Sequence, residues 1–257
     1  MFFVLSPAKT LDETTPAPTQ TYTQSPLLKH SAELIKVCRK LSPQDIAELM
    51  KVSDKIAVLN TERFGDWATP FDLKNAKQAV YLFKGDVYEG LDAYHLTAKA
   101  TDYLQQHLGI LSGLYGILKP LDLMQPYRLE MGTKLSNPKG ANLYAYWGQI
   151  IAKQINQYMR ESGQETLINL ASNEYFKAVD KKTLAYPIVT PIFKDKKNGE
   201  YKIISFYAKR ARGLMVKYAA ENQLNSPEAL KNFDLGGYYY SADHSNGNEW
   251  VFLREEQ

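Results

Sequence analysis

Three carboxylates of this chain stand in loop-like surroundings. Asp86 lies in Lys84-Gly85-Asp86-Val87-Tyr88, Glu130 in Tyr127-Arg128-Leu129-Glu130, and Glu174 in Ser172-Asn173-Glu174-Tyr175. Carboxyl groups held in unlike environments can divide the work of acid and base, and a nearby Lys or Arg can hold an anionic substrate group beside them. Lys9 and Arg128 are the cations placed to do so. Ser172 and Glu174 follow a strand-like run at residues 166–170, and ligands of α/β sheets gather beyond the carboxyl ends of strands. Together Lys9, Asp86, Arg128, Glu130, Ser172 and Glu174 would suit an enzyme acting on a nucleotide, a nucleobase or damaged DNA. Each carboxylate also suits a plainer role as a helix cap or ion pair, Glu130 with Arg128 or Asp86 with Lys84.

Other chemistries are excluded or disfavoured. Lys9-Thr10 follows a strand-like run, but no Gly-x-x-x-x-Gly precedes the lysine, so a phosphate loop of backbone donors is not encoded. His30, His95, His107 and His244 are scattered without metal-ligand spacing, and Cys38 is the single cysteine, so no metal or cofactor site is expected. Cys38 shares an apolar helical face with Leu34 and Leu41, which buries its sulfur and raises its pKa. It reads as structural rather than peroxide-reactive.

The densest charge lies between Lys194 and Lys217, where eight basic residues face only Asp195 and Glu200. On a helical projection of residues 208–220, Ala208, Ala211, Leu214, Met215 and Tyr218 share one side, and Lys209, Arg210, Arg212 and Lys217 the other. Such a run also suits a solvated helix face. Gly213 falls within the basic side, where a glycine costs a helix about 1 kcal/mol relative to alanine, and its missing side chain would let a phosphate strand approach. Residues 49–57 have the shape of a helix-hairpin-helix unit, whose tight turn offers backbone N–H groups to phosphates. The two positions that carry glycine in that unit are Lys51 and Ser53 here, and Lys55 adds charge. An ordinary helical turn capped by Ser53 is the competing reading.

The elements that must position these groups are legible in outline. Residues 2–5 form an apolar run ended by Pro7, expected as a buried strand, and a Thr- and Pro-rich loop follows to Pro26. Helices are expected from Leu27, from Ser42-Pro43 and from Ser53 to about Phe64. Residues 142–160 carry Leu143, Trp147, Ile151, Ile155 and Tyr158 on one face, predicting one helix that ends near Gly163. Residues 188–193 and 201–206 are β-rich and separated by Asn198-Gly199, the strongest hairpin signal in the chain. A second hairpin is expected between residues 238–240 and 249–253. The pattern predicts one domain spanning residues 1–257, of mixed α/β (α+β) class, with a central mixed sheet surrounded by helices and a helix-hairpin-helix-like element in the N-terminal half.

The chain has 257 residues, 44% of them hydrophobic, enough for a large core. With 31 Lys and Arg against 28 Asp and Glu, its net charge is only +3, so nucleic-acid binding would have to come from local clustering. No window approaches the roughly 20 apolar residues of a membrane span, and no leader pattern opens the chain, so a cytoplasmic protein is expected.

Longer segments carry a family likeness. Leu5-Ser6-Pro7-Ala8-Lys9-Thr10-Leu11-Asp12, Leu111-Ser112-Gly113-Leu114-Tyr115-Gly116, the stretch from Pro120 to Gly132, Asn169-Leu170-Ala171-Ser172 with Glu174-Tyr175-Phe176-Lys177, and Phe206 through Met215 together resemble the YaaA family over nearly the whole chain. The resemblance implies a cytoplasmic protein of the peroxide stress response that limits free iron and Fenton damage to DNA. It also implies a positively charged cleft that binds DNA, with a helix-hairpin-helix element at residues 49–57, and brings no settled catalytic residues. A DNA-binding protein is therefore expected more than an enzyme. Contacts would be largely sequence-independent, through Lys51, Ser53 and Lys55 at the hairpin and Lys209, Arg210, Arg212 and Lys217 on the basic helix.

Overall fold

The computed structural model describes residues 1–256. Its first strand, β1 (Phe2–Leu5), is buried along its whole length, as four consecutive apolar residues demand. After the short β2 (Thr10–Leu11) and a long loop come α1 (Leu28–Cys38), α2 (Pro43–Met50) and α3 (Asp54–Asp66). Helix α2 starts where Ser42 and Asp45 form a reciprocal capping box, with Pro43 at the first helical position. It ends at Lys51, which takes the left-handed conformation (φ 52°, ψ 53°) usual for glycine, and Ser53 stands at the N-cap of α3 without a side-chain capping bond.

The chain continues through β3 (Lys77–Gln78), α4 (Ala79–Leu82), β4 (Phe83–Lys84), α5 (Asp86–Leu91) and α6 (Ala98–His107). It then enters β5 (Leu108–Ser112), β6 (Gly116–Leu118) and β7 (Leu123–Met124). The single helix expected over residues 142–160 is two: α7 (Leu143–Trp147) and α8 (Ile150–Glu161). Gly148 at φ 42° breaks the path between them. The apolar spacing runs on across the break because both helices bury the same side, so periodicity could not show it.

Next follow β8 (Leu167–Leu170), α9 (Asn173–Phe176) and β9 (Ile188–Lys197). Asn198 (φ 55°) and Gly199 (φ 81°) turn β9 back into β10. β10 is only Glu200–Lys202, because Ser205 already opens the long helix α10 (Ser205–Glu221), so the strand expected to Phe206 stops early. The second hairpin is present and longer than expected, β11 (Tyr238–Asn246) with β12 (Glu249–Arg254).

Eight strands form the main sheet in the order β11, β12, β9, β8, β1, β5, β6, with β10 also pairing β9. Its middle is parallel and its edges antiparallel, so the class is mixed as expected. β8 and β9 are joined over two register pairs only, Leu167 with Ile188 and Ile168 with Val189. The register Leu5 to Leu170 and Leu5 to Ile110 brings the carboxyl ends of β8, β1 and β5 to one edge.

Helix α10 lies against α5 more closely than helices with side chains at their contact can. A β-carbon on Gly213 would sit 1.8 Å from the Val87 carbonyl oxygen, and one on Gly90 2.2 Å from the Arg210 carbonyl oxygen. Gly213 is therefore the packing surface for a neighbouring helix, which replaces the expected approach of a phosphate strand. Ala208, Ala211, Met215, Val216, Ala219 and Ala220 complete the buried part of α10.

Candidate functional site at the strand ends

The parallel strands deliver three serines to one edge: Ser6 after β1, Ser112 at the end of β5 and Ser172 beyond β8. The Ser172 N–H donates to Ser6 Oγ at 2.9 Å, and the Ser6 hydroxyl donates to Ser172 Oγ at 3.3 Å. The Tyr88 hydroxyl donates to the Ser6 carbonyl at 3.0 Å, and Ser112 Oγ shares a hydrogen bond with the Tyr127 hydroxyl at 2.5 Å. Burial raises the pKa of Tyr88, Tyr127 and Tyr175, so this floor stays protonated and neutral.

Above the floor sits an ion cluster. Lys9 Nζ lies 3.1 Å from Glu130 Oε1, and Arg128 reaches the same oxygen through Nε at 3.2 Å and Nη2 at 3.1 Å. The Lys9 side chain is 66% exposed and that of Glu130 15%. Burial pushes the Glu130 carboxyl toward its neutral form, but the hydrogen bonds and charges of Lys9 and Arg128 outweigh it and hold its pKa below the ordinary value. Glu130 Oε2 is buried with no partner among the described residues, and is thus an acceptor in reserve. Glu174 is committed elsewhere: its Oε1 accepts the Gly132 N–H at 2.9 Å.

Pairing of β2 with β4 sets Thr10 opposite Lys84, and Gly85 (φ 142°) lies near Ala8, so the Lys9 loop borders the start of α5. There Asp86 Oδ2 stands 4.0 Å from Lys209 Nζ, both side chains well exposed. Contacts thus run from Lys9 through this loop to the first turns of α10. The carboxylates split as follows: Glu130 takes Lys9 and Arg128, Glu174 takes backbone, and Asp86 faces Lys209 rather than Lys84.

The basic helix divides unevenly. Lys209 and Arg210 are exposed. Arg212 is half-buried, and burial lowers its pKa. Lys217 is half-buried and spent on Asp92 at 2.9 Å and Glu221 at 3.9 Å. Exposed Lys197 and Lys202 lie at the adjoining hairpin. Lys51, Ser53 and Lys55 are exposed on the α2–α3 turn, where the left-handed Lys51 takes up the conformation for which the missing glycine would serve. The turn packs through α2, α3 and α1, whereas α10 packs on α5, α6 and β9.

Cys38 is buried, and burial pushes its thiol up to about 12, as its apolar face suggested. Among the described residues no three of His, Cys, Asp and Glu are grouped to hold a metal ion, and no helix is long and apolar enough to cross a membrane. No role was expected for Phe206, which is 54% exposed four residues past Lys202, the last cation of the hairpin. Its spacing of three and four residues from Lys209 and Arg210 was the available signal.

Comparison with known proteins finds relatives along nearly the whole chain. The family model described as "Peroxide stress protein YaaA" matches residues 1–244. The chain is similar to a Shewanella loihica protein called "UPF0246 protein", with 60% identity over 257 residues covering all of both chains. It is also similar to a Neisseria gonorrhoeae "UPF0246 protein", at 59% identity over all of this chain and 99% of the other.

Proposed function

The chain belongs to the YaaA family of peroxide stress proteins, and we propose that it serves that response in the cytoplasm by binding DNA through its phosphates, without reading sequence. Limiting free iron and Fenton damage at the DNA belongs to the same reading. The observation that supports it is the side-by-side exposure of Lys209 and Arg210 on the first turns of α10, beside exposed Lys197 and Lys202. Phosphate contacts need solvent-accessible cations; the approach of Lys209 to Asp86 at 4.0 Å is loose and exposed, whereas half-buried Lys217, held by Asp92 at 2.9 Å, is a poor candidate. The hairpin cations Lys51 and Lys55 form a second strip, and the left-handed Lys51 favours a helix-hairpin-helix role for it.

The test is binding to a mixed-sequence duplex across a salt series. Each phosphate contact adds roughly −0.9 to the log–log slope. Lys209→Ala with Arg210→Ala should flatten the slope by about 2, and a salt-independent affinity would overturn the proposal.

One observation favours a second reading, an enzyme or ligand site at the strand ends. Lys9, Arg128 and Glu130 converge there, and Glu130 keeps a buried acceptor free. Titration calorimetry with nucleoside monophosphates decides it: heat of binding lost in Glu130→Gln supports the site, and no heat in the wild type removes it.

A further inference from the structure

Phe206 is an aromatic ring that the fold leaves outside. It is 54% exposed, as is Ile203 three residues earlier at 60%, although the neighbouring Tyr207 is packed beneath the Arg254 guanidinium at 4.2 Å. Phe206 and Tyr207 rings stand 4.0 Å apart. A large apolar side chain gains nothing from water, and it is held here on a helix that is otherwise packed along most of its length.

The exposed cations nearest the ring in sequence lie along its helix and the strand before it, while carboxylates line the cavity on its other side. Lys209 and Arg210 stand three and four residues along the same helix face, and Lys202 precedes it, all exposed. The helix begins without a side-chain cap, so its first N–H groups add positive potential on the same side. A cavity of about 270 Å³ opens beside the ring, where Asp195 pairs with Arg254 and Glu255 with Lys196, Glu256 also lines it, and Lys197 is the exposed cation at its rim. A patch for a protein partner would be expected to lack lysines at its centre, since interface cores are depleted of them. An exposed aromatic ring with the exposed cations Lys202, Lys209 and Arg210 along its helix and the strand before it is instead the arrangement that takes bases on the ring and phosphates on the cations.

We infer that Phe206 is a stacking platform for unpaired bases, so that the α10 face prefers a single-stranded or gapped DNA over an intact duplex. The inference rests on the DNA-binding proposal and adds which DNA. In a duplex every base face is covered by its neighbours, and Phe206 can stack only on a base that is not. The cations grip either form; the ring distinguishes them.

The experiment is fluorescence anisotropy of the full chain with a labelled oligothymidylate and with a blunt duplex of equal length, for wild type, Phe206→Ala and Phe206→Trp. Loss of one stacked base predicts oligothymidylate affinity reduced roughly tenfold in Phe206→Ala, with duplex affinity unchanged, and recovery in Phe206→Trp. Equal oligothymidylate binding by wild type and Phe206→Ala overturns the inference alone, as does a wild type that binds only the duplex. A wild type that binds neither overturns the DNA reading itself. Sedimentation of the same proteins closes the remaining route: if Phe206→Ala turns a dimer into a monomer, the ring is a subunit contact and the inference falls.

Discussion

Gly213 of α10 and Val87 of α5 approach so closely that a β-carbon on the glycine would lie 1.8 Å from the Val87 carbonyl oxygen. Helix propensity alone says that Gly213→Ala stabilises by up to about 1 kcal/mol. The contact says the opposite. Gly213→Ala should lower stability by about 1–3 kcal/mol, and Gly90→Ala likewise, in urea unfolding followed by circular dichroism. A gain in stability would mean that the two helices are not held at this distance.

Lys51 should respond in the other sense. Its left-handed backbone strains any residue with a side chain, so Lys51→Gly is expected to raise stability by about 0.5–1 kcal/mol. If the hairpin offers backbone N–H groups to phosphate, this variant keeps most of its duplex affinity despite losing a charge. If the ammonium makes the contact, affinity falls with the charge. Unfolding and anisotropy on one preparation read both.

Glu130 gives the strand-end cluster a pH signature. Its folded pKa lies below the ordinary 4.5, so the stabilisation it contributes is fully present above that value and is lost as pH falls through the lower folded value. Glu130→Gln should therefore cost about 1 kcal/mol near neutrality, Lys9 being largely exposed, and the gap to wild type should close on acidification. Thermal melts from pH 7 to pH 3 measure it. A constant gap would assign the loss to packing.

Lys217 separates structure from recognition on one helix. Its pairing with Asp92 at 2.9 Å ties α10 to the end of α5. Lys217→Ala should cost up to about 1 kcal/mol of stability and leave the salt slope of DNA binding unchanged. A reduced slope would show that Lys217 also reaches phosphate.

The thiol of Cys38, pushed up to about 12 and buried, should be silent. A thiol-reactive dye should label it only after unfolding, and Cys38→Ser cells should survive hydrogen peroxide as wild type does. Rapid labelling of the native protein would contradict its burial.

How far the sequence carried these features depends on how local they are. β1, the start of α2 at Ser42-Pro43 and the Asn198-Gly199 turn were legible because each is dictated by residues a few positions apart. So was the Arg128–Glu130 pair. The Lys9–Glu130 contact was not, since nothing near either residue encodes the strand order that joins them. The break at Gly148 was hidden by an apolar stripe that continues through it. Gly213 was read correctly as a place of close approach, but the approaching backbone came from α5, which only tertiary packing can tell.

The two register pairs between β8 and β9 make that junction the thinnest seam in the main sheet. On one side stand β8, β1 and β5 with the ion cluster at their ends; on the other, β9 anchors β10, β12 and β11. Breathing of the sheet would start where the fewest backbone bonds must be broken, so amide exchange should divide the molecule here, with the C-terminal strands opening as their own unit. α10 packs on both β9 and α5, and so acts as the clasp across that seam. A ligand gripping the first turns of α10 would be felt as slower exchange in strands it never touches.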